Sequence, residues 1–132
     1  MKIQVIVGSV REGRTSIQVA DWISKSLSNH EAEIEIVDLK AWNLPFYTGA
    51  PPFALNRNYT DELQQQWSNK VLEADAFILI SPEYNHGYSP ALKNALDYLG
   101  TEWKGKPVAF VSYGGTNGSR SIEQIRSVTT QL

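Results

Sequence analysis

Hydrophobic positions change period several times along this chain. Lys2 to Val7 is a run rich in β-branched residues, closed by Gly8-Ser9, the pattern of a buried strand. From Thr15 the apolar residues Ile17, Ala20, Ile23 and Leu27 recur three or four apart, which predicts an amphipathic helix ending at Ser28-Asn29-His30. Residues 32–39, AEIEIVDL, alternate Ile34 and Ile36 with acidic neighbours and predict a second strand with one more exposed face. Helical spacing returns from Asp61 to Ala74 through Leu63, Trp67, Val71 and Leu72, with Thr60 placed to cap it. Phe77 to Ile80 is apolar throughout and reads as a third strand. Pro90 to Leu99 reads as a helix with Ala91, Leu92, Ala95, Leu96 and Leu99 inward; its proline sits in the first turn, where an N–H has no intrahelical partner. Val108 to Ser112 predicts a fourth buried strand, and a last helix runs from about Ser121 to Leu132.

Strands alternating with helices at this spacing predict one α/β domain, a parallel sheet covered on both faces. Residues 40–60 break the rhythm. They hold Pro45, Pro51 and Pro52 with Trp42, Phe46, Tyr47, Phe53 and Tyr59, a loop long enough to be functional or flexible.

Composition narrows the partners. With 132 residues the chain suits a single core, and 42% hydrophobic with 20% charged residues fits a soluble globular protein. A net charge of −2 advertises neither a nucleic-acid partner nor the acidic surface of many electron shuttles. The absence of cysteine removes disulfides, thiolate nucleophiles and iron–sulfur clusters, and His30 and His86 are too far apart in sequence to promise a metal site. The apolar stretch of MKIQVIVGSV is too short for a signal peptide, and no segment approaches the ~20 apolar residues of a membrane span. A cytoplasmic location without a membrane partner is the default expectation.

In a parallel sheet every strand points its carboxyl end to one edge, where ligands bind. The loops after strands 1, 3 and 4 therefore converge, and each is chemically unusual. Gly8-Ser9-Val10-Arg11-Glu12-Gly13-Arg14-Thr15-Ser16 sets small residues, hydroxyls and two arginines before a helix, where free N–H groups and the dipole favour a phosphate. Its plain alternative is a solvated turn capped by Thr15 or Ser16. Gly8 to Thr15 also spells G-x-x-x-x-G-R-T, close to a P-loop. The missing lysine, and Ser81-Pro82-Glu83 where an NTPase would place a magnesium-binding aspartate, argue against nucleotide hydrolysis.

The second loop, Pro82-Glu83-Tyr84-Asn85-His86-Gly87-Tyr88, couples a rigid start to planar and hydrogen-bonding side chains, with Gly87 to permit a turn or a close approach. Taken singly, Glu83 could cap a helix or pair with a lysine, Asn85 could make an Asx turn, and His86 could be an ordinary surface residue. Together at a strand end they suit a flat polar ring. The third loop, Ser112-Tyr113-Gly114-Gly115-Thr116-Asn117-Gly118-Ser119-Arg120, brings backbone close and adds an aromatic face and a charge, unless it is simply a mobile glycine loop. A phosphate at one end and a flat ring at the other describe flavin mononucleotide best.

These segments, with Asp21-Trp22, Ser81 to Asp97 and Gly105-Lys106-Pro107-Val108, resemble the NADPH-dependent FMN reductase family, which includes azoreductase-like, quinone and chromate reductases. The resemblance spans nearly the whole chain. It implies a flavodoxin-like, three-layer, doubly wound sheet with FMN at its carboxyl edge. By motif, Ser9, Arg11, Ser16 and Ile17 would hold the phosphate; Pro82, Glu83, Tyr84, Asn85 and Gly87 would line the ring; Ser112, Tyr113, Gly114 and Gly115 would lie on its other side. It implies NADPH or NADH as co-substrate, a ping-pong transfer to quinone, azo, metal-oxyanion or free-flavin acceptors, and a homodimer or homotetramer through the 90–99 helix. No side chain is assigned a catalytic role and no metal is implied. Family members continue into a fifth strand and a closing helix, so the expected strand order is 2-1-3-4 in a single domain, residues 1–132, truncated at its C-terminus. A non-enzymatic FMN electron carrier and a redox-sensing protein are the rival readings.

Overall fold

Four parallel strands in the order β2-β1-β3-β4 form the centre of the computed structural model, which describes residues 1–132. They are β1 (Lys2–Val7), β2 (Glu33–Asp38), β3 (Ala76–Pro82) and β4 (Val108–Tyr113). Five helices lie between them, α1 (Ser16–Leu27), α2 (Leu39–Trp42), α3 (Pro52–Leu55), α4 (Glu62–Leu72) and α5 (Pro90–Asp97), and α6 (Ser119–Thr129) follows β4. Val7 pairs with Asp38 and Ile80, and Pro82 with Tyr113, so β1, β3 and β4 end along one edge.

Both faces of the central strands β1 and β3 are covered, as their apolar runs require. The fourth strand, expected to be buried, holds no fully buried residue and leaves Ala109 exposed, because β4 lies at the edge of the sheet. On one face Val5, Val7 and Ile80 meet Ala20 and Ile23 of α1, with Ile17 and Leu27 packed against them. On the other, Ile6, Phe77 and Leu79 meet Trp67 and Val71 of α4, Leu92, Ala95 and Leu96 of α5, and Ile125 of α6. Trp67 is fully buried, and its indole N–H donates to the Ala95 carbonyl at 2.9 Å, which ties α4 to α5.

Several local expectations are corrected. Asp61, not Thr60, caps α4: its carboxylate accepts from the Gln64 N–H at 2.7 Å, a stronger interaction than a neutral hydroxyl would make. The last helix begins at Ser119, two residues early, because Gly118 supplies a left-handed cap with φ 73°. Residues 40–60 are not structureless, since α2 and α3 each contribute one turn within or beside them.

In β2, Ile34 packs against the α1-side core as expected, but the next pair departs from the pattern. Ile36 is exposed, whereas Glu35 is half-buried and meets Lys70 Nζ at 2.8 Å and Lys2 Nζ at 3.0 Å. On this edge strand Glu35 thus faces lysines of β1 and α4, whereas Glu33 remains largely exposed. Those ammonium groups and Gln4 hold the Glu35 carboxyl below its usual range against the opposing effect of burial.

Candidate functional site

The first loop begins with a contact that only glycine allows. A Cβ on Gly8 would lie 2.6 Å from the Ile80 carbonyl oxygen and 3.2 Å from Leu92 Cβ. The Gly8 N–H donates to that carbonyl at 2.8 Å, and its own carbonyl accepts from Ser89 Oγ at 2.6 Å. The loop is thus clamped to β3 and to the start of α5 before it turns out toward solvent.

Beyond Gly8, the two arginines part. Arg14 Nη2 lies 2.5 Å from Asp38 at the end of β2, and Asp38 also caps α2 by accepting from the Lys40 N–H at 3.0 Å. Arg14 is therefore committed to Asp38 through Nη2, while its Nε is buried without a partner. Arg11 extends over the Tyr84 ring, its guanidinium carbon 3.7 Å from the centroid, and Ser9 Oγ is 2.8 Å from the Tyr84 hydroxyl. Ser16, in the first turn of α1, is fully buried with its hydroxyl unpartnered, and Thr15 makes no side-chain cap. An uncapped twelve-residue helix, an orphaned hydroxyl and an arginine on the loop that leads into that helix are the donor set a phosphate needs. Ile17, the next residue, packs its side chain into the core, leaving only its backbone N–H to offer.

The second loop is a two-residue turn. Tyr84 and Gly87 exchange both backbone hydrogen bonds, at 2.8 and 2.9 Å, while Asn85 and His86 hold φ of 50° and 72°. Two successive left-handed residues define a type I′ turn. The flexible position expected at Gly87 is not where the bend occurs; Asn85 and His86 make it, and a Cβ on Gly87 would meet only ordinary contacts at 3.4 Å or more. Pro82 ends β3, and its carbonyl accepts from Ser121 Oγ of α6 at 3.3 Å.

Glu83 turns toward the third loop. Its carboxylate, 4% exposed, accepts from Thr116 Oγ1 at 2.9 Å and from Arg120 Nε at 2.7 Å, with Arg120 Nη2 closer still. The Arg120 guanidinium, with Thr116 assisting, holds the Glu83 carboxyl below the usual carboxylate range. Gly114 lies directly against it, since a Cβ there would come within 2.9 Å of Glu83 Cβ. Ser112 Oγ donates to the Ser81 carbonyl at 2.7 Å, and Tyr113 packs on the α1 side of the sheet. Gly115 is exposed, and a Cβ added there would meet nothing within 4 Å.

The structure thus gathers the three loops at one edge. The first and second meet through Ser9, Arg11 and Tyr84, the second and third through Glu83, Thr116 and Arg120. Arg120 appeared in the sequence only as a loop charge. Its spacing from Glu83 offers no signal, because the pairing depends on β3 and β4 lying side by side. Beside the first loop, Val10, Leu39, Phe46, Pro90, Ala91 and Asn94 line a cleft of about 420 Å³.

A family model described as NADPH-dependent FMN reductase matches residues 1–132. The chain belongs to this family. A Schizosaccharomyces pombe NAD(P)H-dependent FMN reductase is 40% identical over 131 residues, covering 96% of this chain and 64% of that protein. A Staphylococcus saprophyticus FMN-dependent NADPH-azoreductase is 32% identical over 134 residues, covering all of this chain and 71% of its own length. The chain thus spans about two thirds of the length of the curated relatives it matches. Among solved structures, the flavoenzyme NAD(P)H:(acceptor) oxidoreductase FerB from Paracoccus denitrificans superposes with a TM-score of 0.78 at 24% identity, over 98% of this chain and 70% of that one. That likeness gives this FMN reductase family member a flavodoxin-like fold. No helix of the chain is long and apolar enough to cross a membrane.

Proposed function

We propose that the chain binds FMN at the carboxyl edge of the sheet and serves as an NAD(P)H-dependent oxidoreductase for small acceptors. The observation that carries this is the buried, unpartnered Ser16 hydroxyl at the uncapped start of α1, beside a loop whose Arg11 is free of any carboxylate. A terminal phosphate would satisfy all of these donors at once.

The residues present fit the group. Ser9, Arg11, Ser16 and the backbone N–H of Ile17 would hold the phosphate. The turn from Tyr84 to Gly87, entered through Pro82 and Glu83, would line the ring, with Ser112, Tyr113, Gly114 and Gly115 on its other side. Bound FMN would supply two-electron chemistry, taking hydride from NADPH or NADH and reducing quinone, azo, metal-oxyanion or free-flavin acceptors. The protein's part is to bind, orient and partly desolvate. No side chain is required as an acid or base. A single open face used by donor and acceptor in turn predicts ping-pong kinetics.

Residues 1–132 would act as one FMN-binding unit. Phe46, 79% exposed, stands beside the amino end of α5 with Pro90 and Ala91, which supports a dimer through that surface. A cytoplasmic setting, the source of NAD(P)H, goes with this activity.

The test is a visible spectrum of the protein after adding FMN and then NADPH without oxygen. A perturbed flavin spectrum, bleached by NADPH and restored by quinone through many turnovers per flavin, is expected. Bleaching without turnover would favour an electron carrier or a redox sensor. Failure to take up FMN would overturn the proposal.

A further inference from the structure

We infer that Arg120 is the positioning residue for the 84–87 turn, and that its contact with His86 makes the turn's hold on the flavin ring decline as His86 takes up a proton. The inference rests on the FMN reading of this edge.

Arg120 reaches both ends of the second loop from the first turn of α6. Its Nε and Nη2 engage Glu83 Oε1, its backbone N–H points at Glu83 Oε2 at 3.3 Å, and its Nη1 lies 2.6 Å from His86 Nε2. A guanidinium only donates, so His86 Nε2 must carry a lone pair and the ring proton must sit on Nδ1. A protonated imidazole would set an N–H and a positive charge against another N–H and positive charge at hydrogen-bond distance. That contact cannot persist.

Which partner Arg120 keeps is decided by Glu83. This carboxylate is almost wholly buried, and both its oxygens are already occupied by Arg120 and Thr116. The imidazole is exposed and free to leave. The imidazole's contact is Arg120 of α6, whose other nitrogens are held by Glu83; Gln124, one turn further along α6, approaches Gly87, and Arg11 lies against Tyr84. None supplies a free carboxylate to receive a histidinium. His86 holds φ 72° within a turn closed by the paired Tyr84–Gly87 backbone hydrogen bonds, and the Arg120 contact ties that turn to α6. Losing the Arg120 contact removes the tie and leaves the turn that would line the ring held by its own backbone pair alone.

His86 and His30 are the only histidines, so ring-nitrogen NMR of the free chain resolves the pair with His30 as internal reference. At pH 8, His86 is expected as the Nδ1–H form, with a signal that shifts in Arg120→Lys while His30 stays fixed. FMN affinity, read by flavin fluorescence from pH 8 to pH 5.5, should fall at least fivefold more in the wild type than in His86→Asn. Asparagine tolerates the left-handed turn and does not titrate, and it also subtracts the phosphate's own protonation. Arg120→Lys, which keeps the charge beside Glu83 but cannot fork to His86, should lose the extra slope too. Equal slopes in wild type and His86→Asn, or an Nε2–H form of His86 at pH 8, would overturn the inference. No FMN uptake at any pH would overturn the reading of the site instead, while the His86 tautomer and its response to Arg120→Lys would still decide the clamp.

Discussion

The Arg11 guanidinium stacks 3.7 Å from the centroid of the Tyr84 ring, joining a loop that would hold a phosphate to one that would hold a flat ring. Cation–π stacking of this kind contributes about 0.5–1 kcal/mol at exposed sites, less than a charged hydrogen bond to an anion. Arg11 is therefore pre-placed without being committed. Arg11→Ala should weaken FMN binding by roughly 1.5–3 kcal/mol, the scale of a charge-assisted hydrogen bond. Isothermal titration or fluorescence quenching would read it, and unchanged affinity would show that the first loop does not hold the phosphate.

Gly8 has the narrowest fit in the site. A methyl group there would press on the Ile80 carbonyl oxygen at 2.6 Å, a backbone atom in the middle of the sheet that has little room to give. Gly8→Ala should destabilise the fold by about 1–3 kcal/mol, the usual range for overpacking. Urea denaturation of the free chain measures this directly. A stability equal to that of the wild type would mean that β1 and β3 can move apart at their ends.

Glu102 is 1% exposed and faces no lysine or arginine within bonding distance. Its Oε1 accepts from Tyr59 Oη at 2.8 Å and Ser68 Oγ at 2.7 Å, and its Oε2 from the Gly100 N–H at 3.0 Å. One side chain thus ties the 40–60 segment and α4 to the turn after α5. Burial, and then the hydrogen bond to Glu102, push the Tyr59 phenol above its ordinary range. Glu102→Ala strands two buried donors, each costing about 1–3 kcal/mol when left unpaired, and a third that is part-buried, so a loss of several kcal/mol is expected. Tyr59→Phe removes one donor and should cost about 1 kcal/mol. A Glu102→Ala loss no greater than that of Tyr59→Phe would refute the three-way tie.

Much of this architecture was legible in the chain because it depends on local periods. The change from strand to helical spacing places each element, and the parallel sheet follows from the alternation, which brings three polar loops to one edge. What stayed hidden depends on pairs far apart in sequence. Arg14 looked like Arg11 until Asp38, at the end of a different strand, claimed it. Glu83 read as part of a ring-binding surface, yet its carboxylate belongs to Arg120, thirty-seven residues on. The bend attributed to Gly87 lies in Asn85 and His86, because a two-residue turn needs both central residues left-handed and the glycine falls one position outside.

Glu83 also gives the site a pH dependence with a definite sign. Its carboxyl, ordinarily near 4.5, is held lower in the folded chain by Arg120 and then by Thr116. The folded state therefore binds that proton less readily than the unfolded one. The resulting stabilisation is fully present above the ordinary carboxylate value and is lost as the pH falls through the lowered one. Thermal unfolding of the free chain at pH 7 and at pH 4 should show a fall in midpoint on acidification. Glu83→Gln keeps an acceptor for Arg120 but cannot titrate, so it should start lower at pH 7 and fall less. An identical fall in both proteins would mean that other acidic groups, such as Glu73 between Lys2 and Lys70, carry the acid sensitivity.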